Sequence, residues 1–226
     1  MGNVMVNIDG RKLKVREGST VLEAATANGI TIPTLCHIQG QLPSGGCRVC
    51  VVEVAGSRTL MGACHTPVSA GMVVQTTTPG VIAARKVIVE LMLTGHTGDC
   101  VNDTNAENCF LHNLASDYEV GAPRFNVKAP RFYPAEEGNP YVKRNLSKCI
   151  LCRKCVRVCR DMAGKNILSI GYRGFRSKVV AGFDEPLTSE SCRDCGVCVE
   201  HCPTGALSAA SGLKVPAKVQ TGGTGK

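Results

Sequence analysis

The sequence predicts an α+β chain of small modules: a β-grasp domain, a short helical segment, and a C-terminal module with an internal repeat. Three observations carry this. Residues 4–16 alternate in strand period around Asp9-Gly10, and a capped helix follows. The apolar positions after Pro79 keep helical spacing. The run from Cys149 to Cys159 returns with identical spacing from Cys192 to Cys202.

In order along the chain, Val4, Val6 and Ile8 form one strand, and Leu13 and Val15 mark the second. Thr20 and Glu23 have capping-box spacing, and Gly29 is placed to end the helix after Asn28. Residues 49–54 and 72–76 supply further strands. A second helix after Pro79 uses Val81, Ala84, Ile88, Leu91 and Met92 as its apolar face. Ile82, Val89 and Leu93 make it apolar on other sides too, which fits burial between domains or cover by a partner subunit. A third helix runs over roughly 109–119. Pro123, Pro130, Pro134 and Pro140 then punctuate an extended linker over 120–142. The resulting domains are 1–78, 79–119, the linker 120–142, 143–210, and a flexible Gly-, Lys- and Thr-rich tail, 211–226.

Composition narrows the function classes. The chain has 226 residues with 14 Cys, no Trp, four Tyr and five Phe. So few aromatics make a large apolar core hard to build, and bound metal can supply the missing cross-links. The N-terminus lacks an apolar leader, and Val81 to Leu93 is short and broken by charges. These features predict a cytoplasmic chain without a membrane span, whose thiols stay reduced for metal rather than forming disulfides. The net charge is +8, but the basic residues are spread along the chain without aromatic interleaving, so nucleic acid is not expected as a partner.

The cysteines fall into three constellations. Cys149, Cys152, Cys155 and Cys159 follow C-x2-C-x2-C-x3-C, as do Cys192, Cys195, Cys198 and Cys202, with Pro203 next. This is the bacterial 2[4Fe–4S] ferredoxin run, in which the fourth Cys serves the other cluster. Three evenly spaced thiolates wrap one face of a cubane, and the opposite loop completes it. Cys149, Cys152, Cys155 and Cys202 are therefore assigned to one [4Fe–4S] cluster, and Cys192, Cys195, Cys198 and Cys159 to the other. Zinc ribbons use paired C-x2-C motifs rather than triple runs. The N-terminal set is Cys36, Cys47, Cys50 and Cys64, and Gly45 and Gly46 let backbone N–H groups approach bridging sulfides. A Cys-rich loop after a β-grasp helix fits a plant-type [2Fe–2S] site. The spacing departs from C-x4-C-x2-C, and by spacing alone zinc stays open. The middle set, His96, Cys100 and Cys109, is irregular, and His96 alone also reads as a surface residue at a helix end. His37, His65 and His201 adjoin cluster cysteines and read as tuning or exposed groups. His112 reads as ordinary surface. Arg48 and Lys148 balance thiolate charge.

The order of these constellations resembles the N-terminal iron–sulfur region of the 75-kDa-type subunit of respiratory complex I. It is similar also to the small diaphorase subunit of NAD-reducing hydrogenases and to the N-terminal part of iron-only hydrogenases. Cys36-x10-Cys47-x2-Cys50-x13-Cys64, ARKVIVELMLTGH and NLSKCILCRKCVRVC carry the likeness, which runs from Val4 to about Ser208. It implies a β-grasp [2Fe–2S] ferredoxin domain, a short helical His/Cys cluster domain and a bacterial-type 2[4Fe–4S] ferredoxin domain. The family's middle site is a [4Fe–4S] cluster on H-x3-C-x2-C-x5-C. His96, Cys100 and Cys109 match, but position 103 is Asp. Three readings stand: Asp103 ligates iron through oxygen, the site holds a three-iron or labile cluster, or the fold persists without a cluster. The first is favoured, because three ligands at the right spacing are retained.

No G-x-G-x-x-G or P-loop motif is present, so no flavin or nucleotide site is expected. The chain reaches Lys226 without a hydrogenase active-site domain, which favours a separately encoded subunit. The resemblance implies a wire in a hetero-oligomeric hydrogenase, formate dehydrogenase or electron-bifurcating complex. One partner would bind flavin and NAD(P); the other would be ferredoxin or another redox subunit. The rivals are a free-standing multi-cluster ferredoxin and a zinc-bound interaction module.

Overall fold

A computed structural model describes residues 2–97, 109–125, 132–136, 138–187 and 190–213. These fall into two compact units. One comprises residues up to Val89 with Tyr118–Val120; the other comprises Glu90–Asp117 and the described residues from Gly121 on.

The first unit is built on the hairpin. Strands β1 (Asn3–Ile8) and β2 (Arg11–Arg16) pair antiparallel from Asn3↔Arg16 to Ile8↔Arg11. Asp9 and Gly10 both have positive φ (49° and 82°), the two-residue turn whose twist matches paired strands. Alternation puts Val6, Ile8, Leu13 and Val15 on the buried face. Helix α1 (Val21–Ala27) opens on a reciprocal cap. The Glu23 N–H donates to Thr20 Oγ1 (3.2 Å), and the Thr20 N–H donates to Glu23 Oε2 (2.7 Å). Asn28 caps its other end, and Gly29 takes φ +71°. Strands β3 (Val51–Val54), β4 (Met61–Gly62) and β5 (Val73–Gln75) complete a mixed sheet of order β2-β1-β5-β3-β4, with β5 parallel to β1. Val21, Leu22, Ala24 and Ala25 of α1 pack on Val6, Ile8, Val52 and Val74. The sheet thus holds the helix, as the sequence predicts. The two-residue β4 is not expected from sequence, because it is too short to show a period.

Helix α2 (Pro79–Thr94) forms where predicted, but its buried stripe differs. Val81, Arg85 and Val89 are buried at i, i+4 and i+8, whereas Leu91 is 51% exposed. Arg85 is tolerated there because its guanidinium donates to the Val51 carbonyl (2.8 Å) and to Tyr118 Oη (3.1 Å).

In the second unit, helix α3 (Phe110–Asp117) starts with the Phe110 N–H on the Pro203 carbonyl (2.7 Å). Strand β6 (Val142–Arg144) pairs antiparallel with β9 (Leu207–Ala209), and β7 (Leu168–Gly171) with β8 (Lys178–Ala181). Short helices α4 (Lys154–Arg157) and α5 (Val197–Glu200) occupy equivalent places in the two cysteine runs. Each begins after a left-handed residue directly following the second Cys of its run: Arg153 (φ 62°) and Gly196 (φ 64°).

Two expectations need adjustment here. Part of the segment expected as a linker is tied down. The Tyr133 N–H donates to Ser147 Oγ, Glu136 exchanges backbone bonds with Arg144 and grips its buried guanidinium at 2.7 Å, and Asn139 Oδ1 accepts from Tyr141 and Val142 N–H. Residues 211–213, expected as the start of a flexible tail, are packed: Leu213 is buried in the core and the Gly212 N–H donates to the Pro140 carbonyl. Residues 214–226 lie outside the described residues. No helix among the described residues is long and apolar enough to cross a membrane.

Candidate metal centres

In the first unit Cys36, Cys47, Cys50 and Cys64 are all buried, on the loop before β3 and just after β4. They couple in pairs. The Cys47 N–H reaches Cys36 Sγ (3.4 Å), and a hydrogen bond from the Cys47 thiol holds Cys36 down to about 5. The Cys64 thiol likewise holds Cys50 down to about 7. Cys47 and Cys64 are pushed up, chiefly by holding the shared proton and then by burial. Four buried thiolates repel one another, so this donor set fits a cationic iron core that takes over the protons' role. The backbone N–H of Gly46 and the Ser44 side chain also stabilise the Cys36 thiolate. Arg48, in the left-handed region (φ 59°), adds its positive field to Cys50 and lies 3.0 Å from His65 Nε2. His65 itself is exposed, and its ring approaches so closely that a Cβ on Gly62 would lie 2.5 Å from Nε2.

The second unit contains two cysteine-lined pockets. Cys149, Cys152, Cys155 and Cys202 line one, with Leu146, Val179 and Leu207. Cys159, Cys192, Cys195 and Cys198 line the other, with Ile167, Leu168 and Leu187. Each pocket takes three cysteines from one run and the last cysteine of the other. Burial, then mutual repulsion, pushes Cys152 and Cys198 up to about 12, and the same causes raise Cys155 well above the ordinary thiol range. Backbone N–H groups meet the sulfurs: Leu151 on Cys149 (3.4 Å), Ile167 on Cys159 (3.3 Å) and Leu207 on Cys202 (3.5 Å). Apolar walls, soft donors and N–H groups aimed at sulfur suit an iron–sulfur cubane. Cys159 sits on a single π-turn, Val158–Met162, which widens the helix end and frees its sulfur for the second pocket. Among the described residues, no three His, Cys, Asp or Glu side chains are placed to hold a single metal ion.

Of the middle set, the structure brings together His96 and Cys109. His96 Nε2 lies 3.9 Å from Cys109 Sγ. His96 Nδ1 lies 2.9 Å from the Lys148 carbonyl, which can only accept, so Nδ1 carries the proton and Nε2 keeps its lone pair. Burial lowers the imidazole's basicity, favouring the neutral, ligating form. Cys100 and Asp103 lie outside the described residues. The Lys148 carbonyl thus serves this site through the main chain, a role its side chain does not signal. His201 is buried with Nδ1 on the Val197 carbonyl (2.9 Å), and His112 is exposed.

Comparison with known proteins agrees with this division. Residues 2–79 match a 2Fe-2S iron-sulfur cluster binding domain, and residues 139–208 match the ferredoxin-like domain of NADH-quinone oxidoreductase subunit 3. The chain is 37% identical to the NADP-reducing hydrogenase subunit HndD of Solidesulfovibrio fructosivorans, over 92% of its own length and 36% of that protein. It is 38% identical to an NADH-quinone oxidoreductase subunit of Rhizobium meliloti and 39% to the NADPH-Fe(3+) oxidoreductase subunit alpha of Geobacter sulfurreducens. Each of these two alignments spans 90% of this chain and 24% of the relative, so the chain corresponds to about a quarter to a third of these proteins. A chain in the crystal structure of NAD+-reducing [NiFe]-hydrogenase in the H2-reduced state superposes with a TM-score of 0.77 at 29% identity, covering 94% of this chain and 90% of that one. The chain thus carries a 2Fe-2S iron–sulfur cluster binding domain followed by a ferredoxin-like domain, and along its length it is similar to subunits of NADH-quinone oxidoreductase and of NAD(P)-reducing hydrogenases.

Proposed function

We propose that this chain is the non-catalytic electron-transfer subunit of a cytoplasmic, multi-subunit NAD(P)-dependent oxidoreductase. It passes single electrons between a flavin- and NAD(P)-binding subunit and ferredoxin or another redox subunit. The host is a hydrogenase, formate dehydrogenase or electron-bifurcating complex. The observation that carries this reading is the pair of crosswise cysteine pockets in the second unit.

In this reading Cys36, Cys47, Cys50 and Cys64 hold a [2Fe–2S] cluster within a 1–78 domain. Cys149, Cys152, Cys155 and Cys202 hold one [4Fe–4S] cluster, and Cys192, Cys195, Cys198 and Cys159 the other, within 143–210. His96, Cys100, Cys109 and Asp103 hold a third [4Fe–4S] cluster within 79–119. No flavin or nucleotide binds this chain. When bound, the clusters supply one-electron storage at low reorganisation cost. The protein's part is to fix the sulfurs, exclude water with Leu146, Val179, Ile167 and Leu168, and aim N–H groups at sulfur, which favours the reduced state.

Iron and acid-labile sulfide in anaerobically purified protein test the reading. About 14 Fe per chain is expected, about 10 would mean that the middle site is empty, and zinc without sulfide would overturn it. Replacing Asp103 by Cys should change the middle cluster's spectrum; an unchanged spectrum removes Asp103 as a ligand. Native purification should bring a flavoprotein with the chain, and a lone monomer would favour a free-standing ferredoxin.

A further inference from the structure

The β7–β8 hairpin carries a surface that cluster holding does not explain. Its strands put Leu168 against the pocket of Cys159, Cys192, Cys195 and Cys198, and Val179 against the other pocket. Its tip, residues 172–177, extends beyond that packing. Tyr172 is 61% exposed and Phe175 54%, and with Arg173 and Arg176 they line an open hollow. Phe183, after β8, is 98% exposed. Three of the nine Tyr and Phe residues of the chain thus fall within residues 172–183, too concentrated for the scattered apolar exposure of an ordinary surface.

The charge at the tip is one-sided. Residues 172–178, YRGFRSK, contain three cations and no carboxylate. Asp184 approaches but is engaged by Lys178 Nζ (2.7 Å) and the Tyr172 hydroxyl (2.7 Å). Arg173 and Arg176 form no ion pair among the described residues. Aromatic rings beside arginines are the composition of interface hot spots. A second copy of the same tip would be repelled, so the complementary surface is acidic.

Resting on the electron-transfer reading above, we propose that the Tyr172–Arg176 tip is the docking surface for a small acidic redox protein, whose carboxylates pair with Arg173 and Arg176 and whose apolar surface covers Tyr172 and Phe175. Leu168 and Tyr172 are four extended residues apart, about 13 Å, so a protein seated on the tip lies close to a cysteine pocket. The step it serves moves one electron: the reduced chain loses it, the acceptor's iron gains it, and no bond forms or breaks.

The test uses the reduced holoprotein with three oxidised acceptors: an acidic plant-type ferredoxin, basic cytochrome c and a neutral quinone. At low salt, the double substitution Arg173→Glu and Arg176→Glu should slow transfer to ferredoxin about tenfold or more and flatten its salt dependence. It should speed transfer to cytochrome c and leave the quinone rate and iron content unchanged. The milder Arg173→Gln and Arg176→Gln pair should give an intermediate loss. An unchanged ferredoxin rate in both double variants overturns the proposal, as does a loss confined to binding of anionic-lipid vesicles, which would make the tip a membrane contact. If the wild-type holoprotein reduces none of the three acceptors, the electron-transfer reading itself fails.

Discussion

Arg85 occupies a position on α2 where helical periodicity calls for an aliphatic side chain, and it is 2% exposed. Its two hydrogen bonds, to the Val51 carbonyl and Tyr118 Oη, tie the helix to the strand that follows Cys50. Truncating it to Ala would leave a cavity and an unpaired buried carbonyl. Arg85→Ala should therefore cost about 2–4 kcal/mol in denaturant unfolding of the holoprotein. Lysine should rescue only partly, because a single ammonium does not span both acceptors as a guanidinium does. At the cysteines, the crosswise sets make a sharper prediction. On the proposed ligand sets, Cys202→Ser should disturb the cluster assigned to Cys149, Cys152 and Cys155, while Cys159→Ser should disturb the other. Electron paramagnetic resonance of the two variants should lose different signals; loss of the same signal would refute the crossing.

At the scale of elements, legibility follows the range of the interactions. The β1–β2 hairpin and the α1 cap are readable because Asp9-Gly10 and the Thr20–Glu23 pair settle their geometry within a few residues. The face of α2 departs from its periodicity because Arg85 is buried by acceptors 34 and 33 positions away, which no local pattern reveals. β4 and the β7–β8 hairpin escape a sequence reading for a related reason: each strand is two to four residues long and fixed by its partner. The turn at Gly212 is another long-range feature. A Cβ there would sit 2.7 Å from the Pro140 carbonyl oxygen, a backbone atom unable to give way cheaply. Gly212→Ala should lower stability by about 1–3 kcal/mol, measured by thermal unfolding, and loosen Leu213 from the core. α2 also anchors residue 124: Arg124 grips Glu90 through two side-chain bonds and its backbone N–H, and this holds the Glu90 carboxyl down to about 2 from 4.5. A pKa lowered by folding stabilises the fold above the unfolded value and is lost as pH falls through the folded one. Glu90→Gln should thus lower the melting temperature at pH 7, with the gap persisting to pH 5 and narrowing below about 4.5.

For the molecule as a whole, the two units should depend differently on iron. Three of the twelve buried residues in the core of the second unit are cysteines, against two of fifteen in the sheet unit. The first has a five-stranded sheet and a helix to fall back on; among the described residues, the cysteine runs of the second sit on two-stranded sheets and four-residue helices. Anaerobic chelation should therefore release amide protection, measured by hydrogen exchange, across 142–209 before it does so in β1–β5. Equal loss in both units would contradict this. The cysteine spacing is what the proposed donor sets are read from; the apolar walls of the two pockets come largely from β7, β8 and β9, whose positions depend on the folded chain.

The shared fourth cysteine also constrains how the module can be made. On the proposed ligand sets, a ribosome that has released only the first run has built three-quarters of a site. Neither cubane can be closed until the second run has emerged and folded back, because one waits for Cys202 and the other for Cys192, Cys195 and Cys198. Maturation of the two centres is then a single late event rather than two sequential ones. Partially loaded chains should be scarce, and a break between the runs should leave two fragments that each lack what the other holds.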